Sequence, residues 1–481
     1  MNGIQKIIKT INIIPKMYKT HHIHFVGIGG YGMGGIAKIL MHEGYKITGS
    51  DLVSNIITHQ LTKLGIKIFF NHSPKNITNA CVVVVSSAIP HDNPEIIAAI
   101  KLHIPVIRRT EMLAELMRCR HSIAITGTHG KTTTTAMITN IYITAGLDPT
   151  FINGGIIKNE GTYAHLGSSR YLIAEVDESD PLFLILQPVV VIITNIEPEH
   201  IENYNGDFEK LKYTFINFLD KMPFHGLVIL CIDDPVVRSL IPNIKHYIIT
   251  YGFSKDADVR ITSYHQYYNK TFFSISRKNK NKIKFILNIP GRHNVLNATA
   301  AIAIAIENNI NITYINNALK NFQGTERRFD HLGCFTFKNI HGTADTAMLI
   351  DDYGHHPTEI NATIKTARQC WPNKRIIMIF QPHRYTRTKN LYNEFIDVLE
   401  TVDILILLNV FSAGEKHISG ADSQSLCATI RKRGKINPVF IKQHDKINKI
   451  LKQIIKNNDL IITQGAGNIN IVAQNIIKKY S

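Results

Sequence analysis

The chain has 481 residues, of which 44% are hydrophobic and 19% charged, a composition that fits a globular protein with about three cores. Lys and Arg outnumber Asp and Glu by 54 to 37, for a net charge of +17, but the lysines are spread over the whole length and form no basic stripe, which argues against a nucleic-acid binder and leaves room for an anionic substrate. No apolar run reaches the ~18 residues of a transmembrane helix, and six cysteines without a C-x-x-C pair fit buried thiols in a reducing cytosol, not a disulfide frame or a zinc site.

The first twenty residues, MNGIQKIIKTINIIPKMYKT, are basic and interrupted by lysines, and read as a lead-in and not as a signal peptide. From His22 to about Met117 strand-like runs (HIHFVGI, YKITGS, CVVVVSS, IPVI) alternate with helical patterns (MGGIAKILMHEG, TEMLAELM). Such alternation predicts a parallel sheet with helices on its faces. A second unit begins near Arg120 with the strand SIAITG and a helix to about Ala145. It continues through the strands YLIAEVD and VVVIITN to a helix over Asn294–Glu307. A third α/β stretch starts near Thr325, with AMLIDDY, RIIMIF, DILILL and DLIITQG as strands. The expected division is 1–119, 120–324 and 325–481.

Two glycine loops stand out. Gly27-Ile28-Gly29-Gly30-Tyr31-Gly32 follows a strand and opens a helix, the setting in which G-x-G-x-x-G lets a diphosphate approach the backbone at a helix N-terminus. Asp51, about 20 residues on, stands where a ribose-binding acid lies in dinucleotide-binding proteins. Taken alone, this loop fits an NAD-dependent dehydrogenase, or glycines kept for close helix–strand packing.

The second loop, Gly127-Thr128-His129-Gly130-Lys131-Thr132, ends in the G-K-T of a P-loop but is two residues shorter between its glycines. It too lies between a strand and a helix. Its backbone N–H groups are suited to phosphate oxygens, Lys131 to the β/γ-phosphates and Thr132 to Mg²⁺. One later strand runs into Glu175, Asp177 and Glu178, and another into Glu199 and His200. An acid and an imidazole at adjacent strand ends can converge on one metal.

Further motifs accompany these loops: PGRHNVLNATAAIAIA (290–305), GTERRFD (324–330), DDYGHHPTEI (351–360) and FQPHRYTRT (380–388). In this order and spacing, from about residue 15 to the end, the chain resembles the Mur ligase family, which builds the peptide stem of peptidoglycan. The resemblance implies three domains: an N-terminal Rossmann-like UDP-sugar domain, a central P-loop-type ATPase domain and a C-terminal Rossmann-like α/β domain. It implies a cytoplasmic reaction of cell-wall synthesis in which ATP, with Mg²⁺, activates the lactyl carboxylate of UDP-N-acetylmuramate as an acyl phosphate and L-alanine displaces the phosphate. IHFVGIGGYGMGGIA, VVVSSAI, PVIRRTEMLAELM and DDYGHHPTE favour alanine. A relative that adds a recycled tripeptide to the same sugar is the alternative, and a regulatory protein on an inactive ligase scaffold is a third.

Carried over by motif, the ATP site comprises Gly127, Thr128, His129, Gly130, Lys131, Thr132, Thr133, Asn294, Asn297, Arg328 and Asp352. Thr132, Glu175 and His200 are the metal ligands. Lys131, Glu175, His200, Arg328 and Asp352 carry the chemistry. Gly27, Gly29, Gly30, Gly32, Asp51, His72, Ser86 and Ser87 are assigned to the UDP-sugar, and Tyr353, His355, Arg384 and Arg387 to the amino acid. Arg384 and Arg387 fall one turn apart if their segment is helical, a spacing that also fits a solvated basic face. Two positions depart from the family pattern: Tyr31 stands where a small residue is usual, and Glu202 where Asp is usual. The resemblance does not set an oligomeric state.

Overall fold

The computed structural model describes Met17 and residues 19–199, 201–278, 281–338 and 343–480. Almost all of the N-terminal lead-in, and His200 with it, lies outside the described residues.

The first sheet holds β1 (His22–Val26), β2 (Lys46–Ser50), β3 (Lys67–Phe69), β4 (Val82–Val85) and β5 (Val106–Arg108), in the order β3-β2-β1-β4-β5. All four pairings are parallel. The strand order reverses between β1 and β4, so the loop after β1 opens into the crevice where doubly wound sheets bind ligands. Four helices cover the sheet: α1 (Tyr31–His42), α2 (Ile56–Lys63), α3 (Pro94–Lys101) and α4 (Arg109–Arg118). Alternate residues of β1 face opposite sides. Ile23 and Phe25 pack with Ile36, Leu40 and Leu116, while Val26 packs with Val83, Val85 and Ile96. Each such buried side chain contributes about 1.5–3 kcal/mol.

The second sheet has ten strands: β6 (His121–Thr126), β7 (Thr150–Ile157), β8 (Thr162–His165), β9 (Tyr171–Glu175), β10 (Val190–Ile193), β11 (Leu227–Cys231), β12 (Tyr247–Gly252), β13 (Val259–Tyr267), β14 (Lys270–Arg277) and β15 (Ile283–Leu287). Their order is β15-β14-β13-β12-β11-β10-β6-β9-β7-β8. The strand that carries the second glycine loop, β6, lies between β9 and β10 and is parallel to both. The helix after it, α5 (Lys131–Thr144), is buried on nearly all sides. The hairpin β7–β8 explains two glycines of the first cluster. A Cβ on Gly35 would stand 3.1 Å from Ile152 and 3.2 Å from Ala164, and one on Gly34 would stand 3.0 Å from Tyr163 Oη as well as 2.5 Å from Ile57 on α2. These glycines let α1 sit close to its neighbours.

The third sheet runs β16 (Asp330–Lys338), β17 (Ala344–Asp352), β21 (Asp459–Gln464), β18 (Ile376–Phe380), β19 (Ile404–Leu408), β20 (Val439–Ile441). Only β16 is antiparallel to its neighbour. This sheet belongs to a second compact unit, Gly324–Ser481 with the short segments His265–Thr271 and Ile289–His293. The first two sheets, apart from the turn between β13 and β14 that falls in His265–Thr271, belong to the other unit.

The strands expected from apolar runs are present. The expectation missed β3, the hairpin β7–β8, β11–β15, β16 and β20. Several of these are short, or alternate buried with exposed residues, as β13 does, so no continuous apolar run marks them. The six thiols are free, but Cys119 and Cys334 are exposed, which corrects the expectation of buried thiols. Among the described residues no helix is long and apolar enough to cross a membrane.

Candidate functional site

The first glycine loop turns at Gly27, whose φ of +79° suits glycine alone. Gly27 N and Ile28 N donate to Ser50 O at 2.8 and 3.1 Å. Gly29 N donates to Asp51 Oδ2 at 2.8 Å, and Val53 N to Asp51 Oδ1 at 3.1 Å. Both oxygens of Asp51 are therefore engaged by backbone, and the acid shapes the loop. A Cβ on Gly30 would meet nothing within 4 Å, so the loop is open there, at the N-terminus of α1. Ser86 lies against Gly27, and Ser87 is exposed just beyond β4.

Sequence reasoning missed a buried polar network behind this loop. Glu95, fully buried on α3, accepts hydrogen bonds from Ser50 Oγ (2.7 Å) and Asn76 Nδ2 (2.6 Å) and lies 2.7 Å from His72 Nδ1. Oε1, the oxygen that accepts from Asn76, is 3.5 Å from His24 Nε2. His24 and His22 both contact Thr48 Oγ1, at 2.8 and 2.9 Å. Burial works against ionisation of Glu95, but His24, Ser50, Asn76 and His72 together hold its carboxyl down to about 2. His72 is thus held by its Nδ1 side. The signal in the sequence was HIH on one strand, whose alternation puts two histidines on one face.

The second loop is tied to the end of β10. Thr128 N donates to Asn195 O (3.0 Å), His129 N to Asn195 Oδ1 (2.8 Å), and Thr194 Oγ1 to His129 O (2.7 Å). Gly130 has φ +84° and caps α5. Asn297, on the helix α8 (Arg292–Glu307, numbered after α6 Phe208–Leu219 and α7 Pro235–Leu240), lies against Gly130. A Cβ on Gly130 would stand 2.6 Å from Asn297 Oδ1. Asn297 and Asn294 are buried, and their amides meet at 3.3 Å.

Lys131 Nζ donates to Gly127 O (2.5 Å), to Thr128 O (3.2 Å) and to both oxygens of Glu178 (3.1 and 3.0 Å). Burial works against its charge, but Glu178, Asp177 and Glu175 raise its pKa and keep it cationic. Burial pushes Glu178 up to about 7, with Lys131 pulling the other way. Glu175 ends β9 opposite Ile125, and its Oε2 accepts from Gly154 N at 2.8 Å. A Cβ on Gly154 would stand 2.4 Å from that oxygen, so Gly154 makes room for the acid. Thr132 and Thr133 are buried in the first turn of α5. His129 Nε2 lies 3.4 Å from Glu197.

In the second unit Asp352 is buried. It accepts from Phe329 N and Gly354 N (2.7 Å each) and from Gln464 Nε2 (2.8 Å). Burial raises its pKa to about 6, with Arg328 and these two amides opposing the shift. Its hydrogen bonds order the segment 327–330, where Arg327 and Phe329 have φ of +60° and +47°. Both arginines face the ring of Tyr353, Arg327 at 5.1 Å and Arg328 at 5.0 Å. Arg328 also pairs with Glu359 at 3.4 Å. His355 stands 5.5 Å from His383, and Arg387 Nη1 is 3.2 Å from His383 Nδ1.

The two arginines expected at the amino acid differ in their surroundings. The helix Tyr385–Asn390 begins after Arg384, which has φ +70° and is exposed, while Arg387 is buried. Tyr353, His355 and Arg387 are therefore linked through His383, and Arg384 stands outside that group. His383 and Gly154 went unrecognised because their significance lies in contacts distant along the chain.

This arrangement has counterparts. Residues 22–121 match the Mur ligase family catalytic domain, 125–305 the Mur ligase middle domain, and 337–467 the Mur ligase, glutamate ligase domain. The chain belongs to the Mur ligase family. These are ATP-dependent acid–amino-acid ligases of peptidoglycan synthesis.

This Mur ligase is similar to UDP-N-acetylmuramate-alanine ligase MurC from Thermotoga maritima, with 28% identity and a TM-score of 0.81, over 95% of this chain and 99% of that one. It is also similar to UDP-N-acetylmuramate:L-alanyl-gamma-D-glutamyl-meso-diaminopimelate ligase from Neisseria meningitides, with 25% identity and a TM-score of 0.59, over 64% of this chain and 100% of that one. Its fold matches MurF from Thermotoga maritima in complex with ADP, with 15% identity and a TM-score of 0.60, over 90% and 95% of the two chains.

Proposed function

We propose that this Mur ligase joins L-alanine to the lactyl carboxylate of UDP-N-acetylmuramate, with ATP as the energy source and through an acyl phosphate, in the cytoplasm. The observation that carries this reading is the pair of glycine loops, each at the C-terminal end of a strand with parallel neighbours on both sides, in two different sheets. One loop serves the UDP-sugar and the other ATP, which answers why the chain has both. A dehydrogenase has no use for the second loop, and Asp51 is engaged by its own loop. The similarity to the Thermotoga maritima alanine ligase over nearly the whole chain supports alanine.

A free carboxylate is a poor electrophile, so the carboxylate first attacks the γ-phosphorus and expels ADP, giving an acyl phosphate, and the neutral amine then attacks the acyl carbon, expels phosphate and gives up a proton. The first step brings two anions together, and cations must surround the transferring group. Lys131 is assigned to the γ-phosphate. Glu175 and Thr132 are oxygen donors suited to Mg²⁺, and Glu175 Oε1 has no hydrogen-bond partner among the described residues. The metal supplies charge neutralisation. His200 remains a proposed ligand.

Asn294 and Asn297 are assigned to ATP, with Asn297 at the phosphate-loop end. Arg328 and Asp352 remain proposed nucleotide contacts; Asp352 acts by ordering the segment that bears Arg328. Tyr353, His355 and Arg387 are assigned to the amino acid. The domains are proposed as 1–119, 120–324 and 325–481.

Phosphate release with ATP, UDP-N-acetylmuramate and L-alanine, glycine, L-serine or the tripeptide in turn tests the reading. Alanine is expected to give the highest kcat/KM. Preference for the tripeptide would establish the recycling ligase instead.

A further inference from the structure

Arg109, at the start of α4, was not among the expected site residues. It belongs to neither glycine loop, yet it lies between elements of both. At one end its guanidinium rests on the first turn of α1: a Cβ on Gly32 would stand 2.7 Å from Nη1 and 3.3 Å from Cδ. At the other end Nη2 is 3.7 Å from Asp177 Oδ2. Asp177 precedes Glu178, which grips Lys131. The next residue, Thr110, fixes the start of α4 to the same acidic loop, with Oγ1 donating to Asp180 Oδ2 at 2.6 Å.

A cation beside a helix N-terminus is electrostatically unfavourable, because both carry positive charge. Such a pairing is stabilised by an anion held between them. Asp177 supplies that anion poorly. Its contact is single and long where an arginine fork can make two short bonds, both side chains are partly exposed, and Asp177 Oδ1 is already engaged by Ser179 N and Oγ. The Gly30 position is open and suits a diphosphate, whereas the guanidinium of Arg109 lies at Gly32, with Nη2 toward Asp177, the neighbour of the Glu178 that grips Lys131.

We propose that Arg109 is the cation that receives the carboxylate of the acid substrate, exchanging Asp177 for it and holding the carboxylate between the UDP-sugar loop and the ATP loop. This inference rests on the ligase reading above. Arg109 sets specificity for a UDP-sugar that bears a carboxylate over one that lacks it. Release of Asp177 leaves its negative charge near Lys131, at the loop where ATP and its metal bind.

The test is calorimetric titration of the full-length wild type, Arg109→Ala and Arg109→Lys with UDP, UDP-N-acetylglucosamine and UDP-N-acetylmuramate. Thermal melting of each variant serves as the check on folding. The last two ligands differ by the 3-O-lactyl ether that carries the carboxylate. Wild type is expected to prefer UDP-N-acetylmuramate, and Arg109→Ala to lose about tenfold or more of that affinity, as for a lost charged hydrogen bond. Its affinities for the other two ligands should stay within about twofold. Arg109→Lys should recover part of the preference, because it keeps the charge and loses the fork.

An equal loss for all three ligands would assign Arg109 to the diphosphate and overturn the inference. An undiminished preference in both variants would overturn it as well. Either result leaves the ligase reading standing. Failure of the wild type to bind any UDP-sugar would remove the ligase reading, and this inference with it.

Discussion

Lys131 Nζ lies 3.0 and 3.1 Å from the two carboxylate oxygens of Glu178. The lysine of the second loop is thus held across the end of β9 by a bidentate carboxylate, with its other hydrogen bonds directed to carbonyls of its own loop. In the proposed reaction the γ-phosphate competes with Glu178 for this ammonium. Lys131→Ala should lower turnover by at least about 10²-fold, the scale for removing one preorganised donor at a developing charge. UDP-N-acetylmuramate affinity should be retained, since its loop lies on another sheet. Calorimetry showing that affinity lost in a folded variant would sink the division of labour between the loops.

Gly154 exists to leave space for Glu175. Gly154→Ala places a methyl 2.4 Å from Glu175 Oε2, and the carboxylate must swing away and lose the Gly154 N–H. Gly154 is exposed, so stability should change by no more than about 0.5 kcal/mol. Activity should fall, with a raised Mg²⁺ requirement. A wild-type rate at every Mg²⁺ concentration would show that the position of Glu175 is not critical.

Glu95 gives a pH-dependent stability. Its folded pKa, about 2, lies below the ordinary 4.5, so the folded state favours the ionised form. The contribution is fully present above about pH 5 and is lost as pH falls from there toward 2. Glu95→Gln should therefore be destabilised at pH 7.5 by about 2–3 kcal/mol. The gap should narrow with acidification below pH 5. Urea unfolding of both proteins across that range measures it, and a gap independent of pH would mean that the charge of Glu95 is not what the network stabilises.

Arg387 is the proposed anchor for the amino-acid carboxylate. L-alanine offers one methyl, worth only about 1 kcal/mol of apolar discrimination, and its attacking amine must be neutral, so the carboxylate has to hold it. Arg387→Lys keeps the charge and loses the planar fork. The KM for alanine should rise about tenfold or more, on the order of 1.5–3 kcal/mol, with the KM values for ATP and UDP-N-acetylmuramate nearly unchanged. Steady-state kinetics varying each substrate decide it, and an effect confined to ATP would place Arg387 at the nucleotide.

The features that the sequence determined by itself are local ones. A glycine loop between a strand and a helix is encoded within about ten residues, because φ > 0 and close backbone approach are properties of the glycines themselves. The central parallel strands were legible because burial on both faces makes them continuously apolar. The motifs that carry the family resemblance are likewise contiguous.

Contacts between distant segments were decided only by the tertiary structure. Asp51 stands where a ribose-binding acid lies, and only the fold shows that its oxygens also hold Gly29 and Val53. That Arg384 caps the helix with positive φ and is exposed while Arg387 is buried was visible only in the fold. Glu95 meets His24, Ser50 and His72 only because β1, β2, β3 and α3 come together in the folded sheet. Gly154 meets Glu175, and Arg109 meets Gly32 and Asp177, for the same reason: strand order, which no local pattern encodes, sets which side chains share a space.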